Sequence, residues 1–241
     1  MLNSTSSFIR HEVEPSLSIT KTRYTRIYKW NYEPQPAEEV AEATHLANEL
    51  GIHPVFGRML RERCIFSAGE ARRFFRPQLT ELLDPFLMND MQAAVERLNR
   101  ALLRKERIMV YGDYDVDGVT SVALVYKFIS QYYPNIDYYI PDRYAEAHGV
   151  SKRGVVFAAE SGVRLIIVLD CGIKAVEEIA YAKELGIDFI ICDHHVPDEE
   201  LPPAVAILNS KRRDNHYPYT DLSGCGVGFK FMQAFAASNG I

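Results

Sequence analysis

The feature that most restricts the fold of this chain is the alternation of short apolar runs with helical stretches from residue 107 onward. Runs rich in β-branched residues occur at 108–111, 136–140, 165–169, 189–192 and 205–208. Helical patterns occur at 119–132, 152–161, 174–185 and 227–237. This alternation is typical of βαβ units whose strands are buried on both sides. We therefore predict an α/β fold with a parallel sheet and helices on both faces.

The first third of the chain has a mostly helical pattern. Apolar residues recur at helical spacing in 37–50, and Ser67 and Glu70 have the spacing of a capping box. The stretch 87–105 is rich in helix formers, and its basic residues Arg97, Arg100, Arg104 and Lys105 are expected on a solvated face. We predict a loosely ordered arm at 1–36, a helical region at 37–106 and the α/β domain at 107–241.

The composition is that of an ordinary globular protein, with 47% hydrophobic and 24% charged residues. The formal net charge of −5 provides no global basic field for nucleic acid, although a local basic groove can coexist with acidic regions. The four cysteines form no CxxC pair, and no secretory signal precedes them, which predicts reduced thiols and a cytoplasmic protein. Because no apolar run approaches 18 residues, we expect no membrane association.

Polar residues concentrate at the ends of three predicted strands. These residues are Asp113, Asp115 and Asp117 after the first strand, Asp170 after the third, and Asp193, His194 and His195 after the fourth. Neighbouring parallel strands end at one edge of the sheet, where α/β proteins place their ligands, so these side chains can converge. Carboxylate oxygens with one or two imidazoles suit Mn²⁺ or Mg²⁺.

The acidic motif has other interpretations. A calcium loop of the EF-hand type needs Glu at its twelfth position, which is Leu124 here. Turn formation or helix capping explains single aspartates, but three carboxylates within five residues repel one another unless a cation is present. Because adjacent side chains diverge, we expect one of His194 and His195 to be a ligand and the other to contact a substrate phosphate. Asp193 would orient the ligand imidazole.

The motifs VYGDYDVDGVTS, VLDCGI and Asp193-His194-His195 together resemble those of the DHH phosphoesterases. The blocks RFFRPQLTELLDPFLMNDMQAAVERLNRAL, YYIPDRYAEAHGVS and PAVAILNSKRRDNHYPYTDLSGCGVGFK are similar to the RecJ family of that class, over 65–240. The resemblance implies a 5′-to-3′ exonuclease that hydrolyses single-stranded DNA with two Mn²⁺ or Mg²⁺ ions in DNA repair and recombination. A helicase and a single-strand-binding protein are candidate partners.

The resemblance also implies roles for individual residues. Asp115, Asp117 and Asp170 would be metal ligands, with Asp170 shared by two ions, and His194 would complete one ion. Asp113 would be a ligand or lie directly behind one, and His195 would contact the scissile phosphate. The single strand would follow a basic channel whose candidate wall residues are Arg143, Lys152, Arg153 and Arg212. For the run 211–213 a solvated loop is the alternative.

The chain departs from the RecJ pattern at three places. Glu146-Ala147-His148-Gly149 replaces Glu-Gly-Tyr-Gly, and Ser210 follows Asn209 where proline is usual. RecJ proteins continue beyond the position of Ile241 to a further metal-ligand aspartate, a second domain and an OB-type domain. We therefore expect an N-terminal part that binds metal but is nearly inactive alone. A small-substrate DHH enzyme, acting on oligonucleotides, cyclic dinucleotides or pyrophosphate, and a non-catalytic scaffold are the alternatives.

Overall fold

The computed structural model describes residues 34–146 and 148–241. The predicted arm therefore lies outside the described residues except for 34–36, which precede the first helix. The chain divides into two compact units between Gln78 and Leu79.

The first unit contains three helices, α1 (Ala37–Leu50), α2 (Pro54–Arg61) and α3 (Ala68–Phe75). The helix predicted at 37–50 and the capping box are both confirmed. Ser67 accepts a hydrogen bond from the backbone N–H of Glu70, whose carboxylate accepts one from the N–H of Ser67. Sequence periodicity did not predict α2. A small buried core joins the three helices and consists of Leu46, Leu60, Ile65, Ala68 and Ala71.

The second unit is built on a parallel sheet of five strands in the order β2-β1-β3-β4-β5. The strands are β1 (Arg107–Gly112), β2 (Ile136–Tyr139), β3 (Val163–Leu169), β4 (Asp188–Cys192) and β5 (Ala206–Leu208). Each corresponds to one predicted apolar run, so the predicted α/β fold is confirmed.

Helices cover both faces of this sheet. They are α4 (Met91–Leu103), α5 (Val116–Ser130), α6 (Lys152–Glu160), α7 (Val176–Glu184) and α8 (Gly224–Asn239). Alternate strand residues pack on opposite faces: Ile108 and Val110 contact the layer formed by α4, α5 and α8, whereas Met109 and Tyr111 face α6 and α7. This alternation explains why the strands are apolar along almost their whole length.

Two short 3-10 turns, Leu79–Glu81 and Pro85–Leu87, precede α4. Because α4 packs into the core of the sheet unit, the predicted helical region 37–106 contributes helices to both compact units. The domain boundary at residue 106 stays a proposal. Within the described part of the chain, no helix combines the length and apolar character needed to cross a bilayer.

Arg97, which was expected on a solvated face, is instead 4% exposed. Its Nε donates to Asp188 at 2.6 Å, and its Nη2 donates to Glu106 at 2.7 Å and to the carbonyl of Arg164 at 3.2 Å. These bonds connect α4 with the beginnings of β3 and β4. The expectation was wrong because a buried guanidinium is tolerated where carboxylates pair with it.

Candidate metal centre

The edge of the sheet that carries the polar clusters contains a topological switch point. The chain passes from β1 to β2 on one side and then returns to build β3, β4 and β5 on the other. Loops diverge at such a point, which lies here between β1 and β3, and leave a crevice for ligands. In the sheet register Gly112 pairs with Leu169, and Leu169 pairs with Cys192. The last residues of β1, β3 and β4 are therefore in register, and the residues that follow these strands lie close together.

Two groups of side chains at this edge can each offer ligand atoms to one cation. The first comprises Asp113, Asp115 and Asp170, and the second comprises Asp170, His194 and His195. Within each group the ligand atoms lie within 4.8 Å of one another. Asp170 belongs to both groups and is therefore placed where two ions could share it.

Asp170 is the residue whose environment is most altered by this crowding. Its side chain is buried, and among the described residues its Oδ1 has no hydrogen-bond partner, although Nε2 of His194 lies 3.1 Å away. Burial, followed by the charge of Asp117, raises the pKa of Asp170 to about 8. A buried oxygen without a partner is unfavourable, and a divalent cation would both satisfy it and offset the neighbouring charges. The donor set thus fits a hard cation.

Asp113 and Asp115 differ in exposure and in partners. Asp115 is exposed and caps α5, and the hydrogen bond that it accepts from the N–H of Gly118 at 2.9 Å lowers its pKa. Asp113 is buried; its Oδ1 accepts from the N–H of Tyr114 at 2.8 Å, and its Oδ2 lies 2.8 Å from Nδ1 of His148. Both carboxylates therefore reach the centre from the loop between β1 and α5.

Asp117 is held by the N-terminus of α8. Its two carboxylate oxygens accept hydrogen bonds from the N–H groups of Gly224 at 2.7 Å and Cys225 at 2.8 Å. This is a favourable place for a carboxylate. Its Oδ2 lies 3.7 Å from Nε2 of His194, but Asp117 is in neither ligand group found in the described part of the chain. Its predicted role as a ligand stays a prediction.

Gly224 lets α8 approach this closely. A Cβ atom at Gly224 would lie 2.5 Å from the Cβ of Asp170. Sequence reasoning missed Gly224 and Cys225 because their contribution comes from backbone amides. The available signal was Ser223, which caps α8 by accepting from the N–H of Gly226.

Asp193 contacts the imidazole of His195. Its Oδ1 lies 2.7 Å from Nδ1 of His195, and it also accepts the backbone N–H groups of His194 and His195. Its Oδ2 accepts the N–H of Ile173 at 3.0 Å. The imidazole that Asp193 contacts is that of His195, because the carboxylate folds back over the following peptide groups. The role of Asp193 in orienting a ligand imidazole stays a prediction. His194 faces Asp170.

Three of the predicted channel residues are exposed. The guanidinium of Arg143 lies 4.7 Å above the ring of Tyr114. Lys152 lies 3.7 Å from Glu177 in a surface ion pair, and Arg153 follows it on α6. All three keep their substrate role as a prediction.

Arg212, in contrast, is mostly buried and hydrogen-bonded within the protein. Its guanidinium is 8% exposed and donates to Asp90 at 2.5 Å, to Asp214 at 2.7 Å and to the carbonyl of Ile207 at 2.8 Å. These bonds fix the loop after β5. The predicted role of Arg212 in the substrate channel stays a prediction.

A cavity of about 480 Å³ opens beside the second ligand group. Its polar lining includes His148, His195, Asp193 and Lys174, and its apolar lining includes Val150 and Ile173. Sequence reasoning had not assigned His148 to the site, although the departure from the family pattern at this position was visible.

Residues 107–241 match the model of the DHH family, N-terminal domain. The chain belongs to the DHH family. Among curated proteins it is similar to the single-stranded-DNA-specific exonuclease RecJ of Bacillus subtilis (strain 168), with 38% identity over 206 residues, which are 86% of this chain and 26% of that protein. RecJ of Escherichia coli (strain K12) is 38% identical over 81% of this chain and 33% of its own length. The predicted resemblance to RecJ is confirmed, and the chain spans about a quarter to a third of these relatives.

Solved structures show the same likeness. The crystal structure of exonuclease RecJ bound to manganese has a TM-score of 0.60 and 28% identity, covering 66% of this chain and 40% of that one. RecJ from Thermus thermophilus in complex with Mn²⁺ has a TM-score of 0.67 over 84% of this chain and 28% of that one. At 24% identity this second structure supports the fold.

Proposed function

We propose that this chain carries the metal centre of a nuclease that hydrolyses phosphodiester bonds of single-stranded DNA from the 5′ end. The observation that carries the proposal is the convergence of two ligand groups on Asp170, whose buried Oδ1 has no hydrogen-bond partner among the described residues. The proposal is supported by relatives named single-stranded-DNA-specific exonucleases and by the manganese-bound RecJ structure.

The residues present would hold two Mn²⁺ or Mg²⁺ ions. Asp113, Asp115 and Asp170 would bind one, and Asp170 with His194 would bind the other. Divalent ions at such a site lower the pKa of water and offset negative charge on a phosphoryl group. Asp193 fixes the ring of His195 through Nδ1, which leaves Nε2 for the substrate phosphate. Asp117, anchored on α8, adds negative charge that favours cation binding.

The approach of the substrate would be guided by exposed groups outside the acidic cluster. Arg143 and Tyr114 combine a positive charge with an aromatic face, the combination that suits a flexible single strand. Lys152 and Arg153 add positive charge at the start of α6. The role in DNA repair and recombination, the cytoplasmic location, and helicase or single-strand-binding partners stay predictions.

The test is a hydrolysis assay with Mn²⁺, run with the protein in excess over substrate so that slow turnover is visible. The substrates are single-stranded DNA labelled at either end, blunt duplex DNA and a cyclic dinucleotide. We expect the single strand to be degraded from its 5′ end and the duplex to be spared. Asp170→Asn should abolish hydrolysis, whereas Asp137→Asn, which alters an exposed carboxylate within β2, should not.

Two results would contradict the proposal. Turnover of the cyclic dinucleotide without turnover of the single strand would assign the centre to a small-substrate enzyme. Because low activity is expected of this chain alone, the second result is stricter: Mn²⁺ binding with no hydrolysis of any substrate even with the protein in excess would indicate a non-catalytic scaffold.

A further inference from the structure

Two aspartate–histidine pairs face each other across the site. Asp193 follows β4 and lies 2.7 Å from Nδ1 of His195, and Asp113 follows β1 and lies 2.8 Å from Nδ1 of His148. In both pairs the carboxylate is buried and the imidazole is exposed. The centroids of the two imidazoles are 6.0 Å apart, with the rings at 82°. The second pair thus repeats the arrangement of the first at the end of β1, which β3 separates from β4 in the sheet.

His148 also occupies the middle of a continuous row of planar groups. The guanidinium of Arg143 lies 4.7 Å above the ring of Tyr114, and that ring is 6.2 Å from His148. His195 follows at 6.0 Å, and His194 lies 4.7 Å beyond it. The row therefore leads from a predicted substrate-binding arginine to the histidine that faces Asp170. A single-stranded nucleic acid that reaches the metal centre along this row would pass His148.

We infer that His148 is a substrate-contacting residue that binds a phosphate oxygen of the nucleic acid, as His195 is proposed to do. Its Nδ1 is engaged by Asp113, so Nε2 is the ring nitrogen left to contact a ligand. The inference depends on the proposed function for naming the phosphate as part of a nucleic acid. The pocket itself, which His148 and His195 line together with Lys174, is a property of the structure.

Two other roles fit His148 less well. It is in neither of the ligand groups found within the described residues, and the Mn²⁺ titration described below tests whether it shares an ion with the carboxylates. Its side chain is 57% exposed, so it contributes little to packing. The contact is best explained if Asp113 orients the imidazole of His148, which is the usual function of such a carboxylate.

The inference can be tested by binding, independently of hydrolysis. The chain of 241 residues is titrated calorimetrically with deoxyadenosine 5′-monophosphate at saturating Mn²⁺, and in parallel with deoxyadenosine, which lacks the phosphate. His148→Ala should weaken binding of the monophosphate about tenfold, the loss expected for one hydrogen bond to a charged group. Binding of the nucleoside should not change. His148→Gln, which keeps a donor, should recover part of the affinity, and His45→Ala on α1 is the matched control.

A separate Mn²⁺ titration distinguishes substrate contact from metal binding. We expect the Mn²⁺ affinity of His148→Ala to stay within about twofold of the unsubstituted chain, a change below about 0.5 kcal/mol, whereas Asp115→Ala weakens it strongly. The inference is overturned if the monophosphate binds His148→Ala as tightly as the unsubstituted chain, if the latter binds no monophosphate, or if His148→Ala loses Mn²⁺ as Asp115→Ala does. Absence of DNA hydrolysis would count against the proposed function alone, because phosphate binding is measured without turnover.

Discussion

Replacing Asp170 with asparagine should stabilise the metal-free protein while abolishing its response to Mn²⁺. The folded-state pKa of Asp170 is raised to about 8 from an ordinary value of 3.8, mainly by burial and next by the charge of Asp117. A folded-state pKa above the unfolded one means that the folded protein binds the extra proton. The contribution of this proton to the free energy of unfolding is therefore fully present below about pH 4 and is lost as the pH rises toward 8.

The size of this effect follows from the interval between the two pKa values. Each pH unit between them corresponds to about 1.4 kcal/mol. At pH 7 the unfolded chain has ionised Asp170 while the folded metal-free protein keeps it largely protonated, which lowers the free energy of unfolding by about 4 kcal/mol. Asparagine has nearly the same shape and carries no charge. It also tolerates the left-handed backbone of residue 170, whose φ is 59°. Asp170→Asn should therefore gain up to about 4 kcal/mol at pH 7 and nothing at pH 4.

Urea unfolding with a chelator at both pH values measures this gain. Adding Mn²⁺ at about a hundred times its dissociation constant should stabilise the unsubstituted chain by about 2.7 kcal/mol and leave Asp170→Asn unchanged. Asp137→Asn, in an exposed ion pair, should respond to Mn²⁺ normally. The reasoning is refuted if metal-free Asp170→Asn is less stable than the unsubstituted chain at pH 7, or if Mn²⁺ still stabilises it.

Three further substitutions test other parts of the molecule. Gly224→Ala would place a Cβ 2.5 Å from that of Asp170 and displace α8, so calorimetry should show at least about tenfold weaker Mn²⁺ binding; unchanged affinity would mean that α8 does not position the centre. Arg97→Ala removes the cation 2.7 Å from Glu106, leaves it only Arg104, at 4.0 Å, within the described residues, and should cost about 3–5 kcal/mol in urea unfolding without altering Mn²⁺ affinity. A loss below about 1 kcal/mol would show that the ion pair is dispensable. Ser67→Ala removes the capping box and should cost about 1 kcal/mol, whereas Ser67→Thr should retain most of it; equal thermal stability of both variants would contradict the assigned cap.

The sheet and the location of the site were predictable because both depend on local patterns. A strand buried on both faces, such as β3, needs a continuous apolar run, and that run can be recognised without knowledge of its neighbours. The residues that follow such strands share one sheet edge whatever their separation along the chain. This is why Asp113, Asp170 and Asp193 could be placed together from the sequence.

The features that sequence reasoning missed depend on distant partners. Arg97 is buried because Asp188, 91 residues away, meets its guanidinium. Arg212 donates to Asp90, 122 residues away, a bond that the sequence did not indicate. His148 differs from the family pattern, but the role that we propose for it depends on its proximity to Asp113, which the sequence does not reveal. Helical periodicity and motif spacing contain no information about such pairs.

The anchoring of Asp117 on α8 also determines when the centre forms during folding. The amides that hold this carboxylate come from Gly224 and Cys225, 107 and 108 positions further along the chain. Contacts between such distant segments are entropically costly and depend on prior assembly of the sheet. Mn²⁺ therefore binds an arrangement that is completed late, and its stabilisation should appear as slower unfolding with little change in the refolding rate. During synthesis, the acidic loop would emerge well before the helix that organises it, so the metal would stabilise an arrangement that has already formed and would not nucleate it.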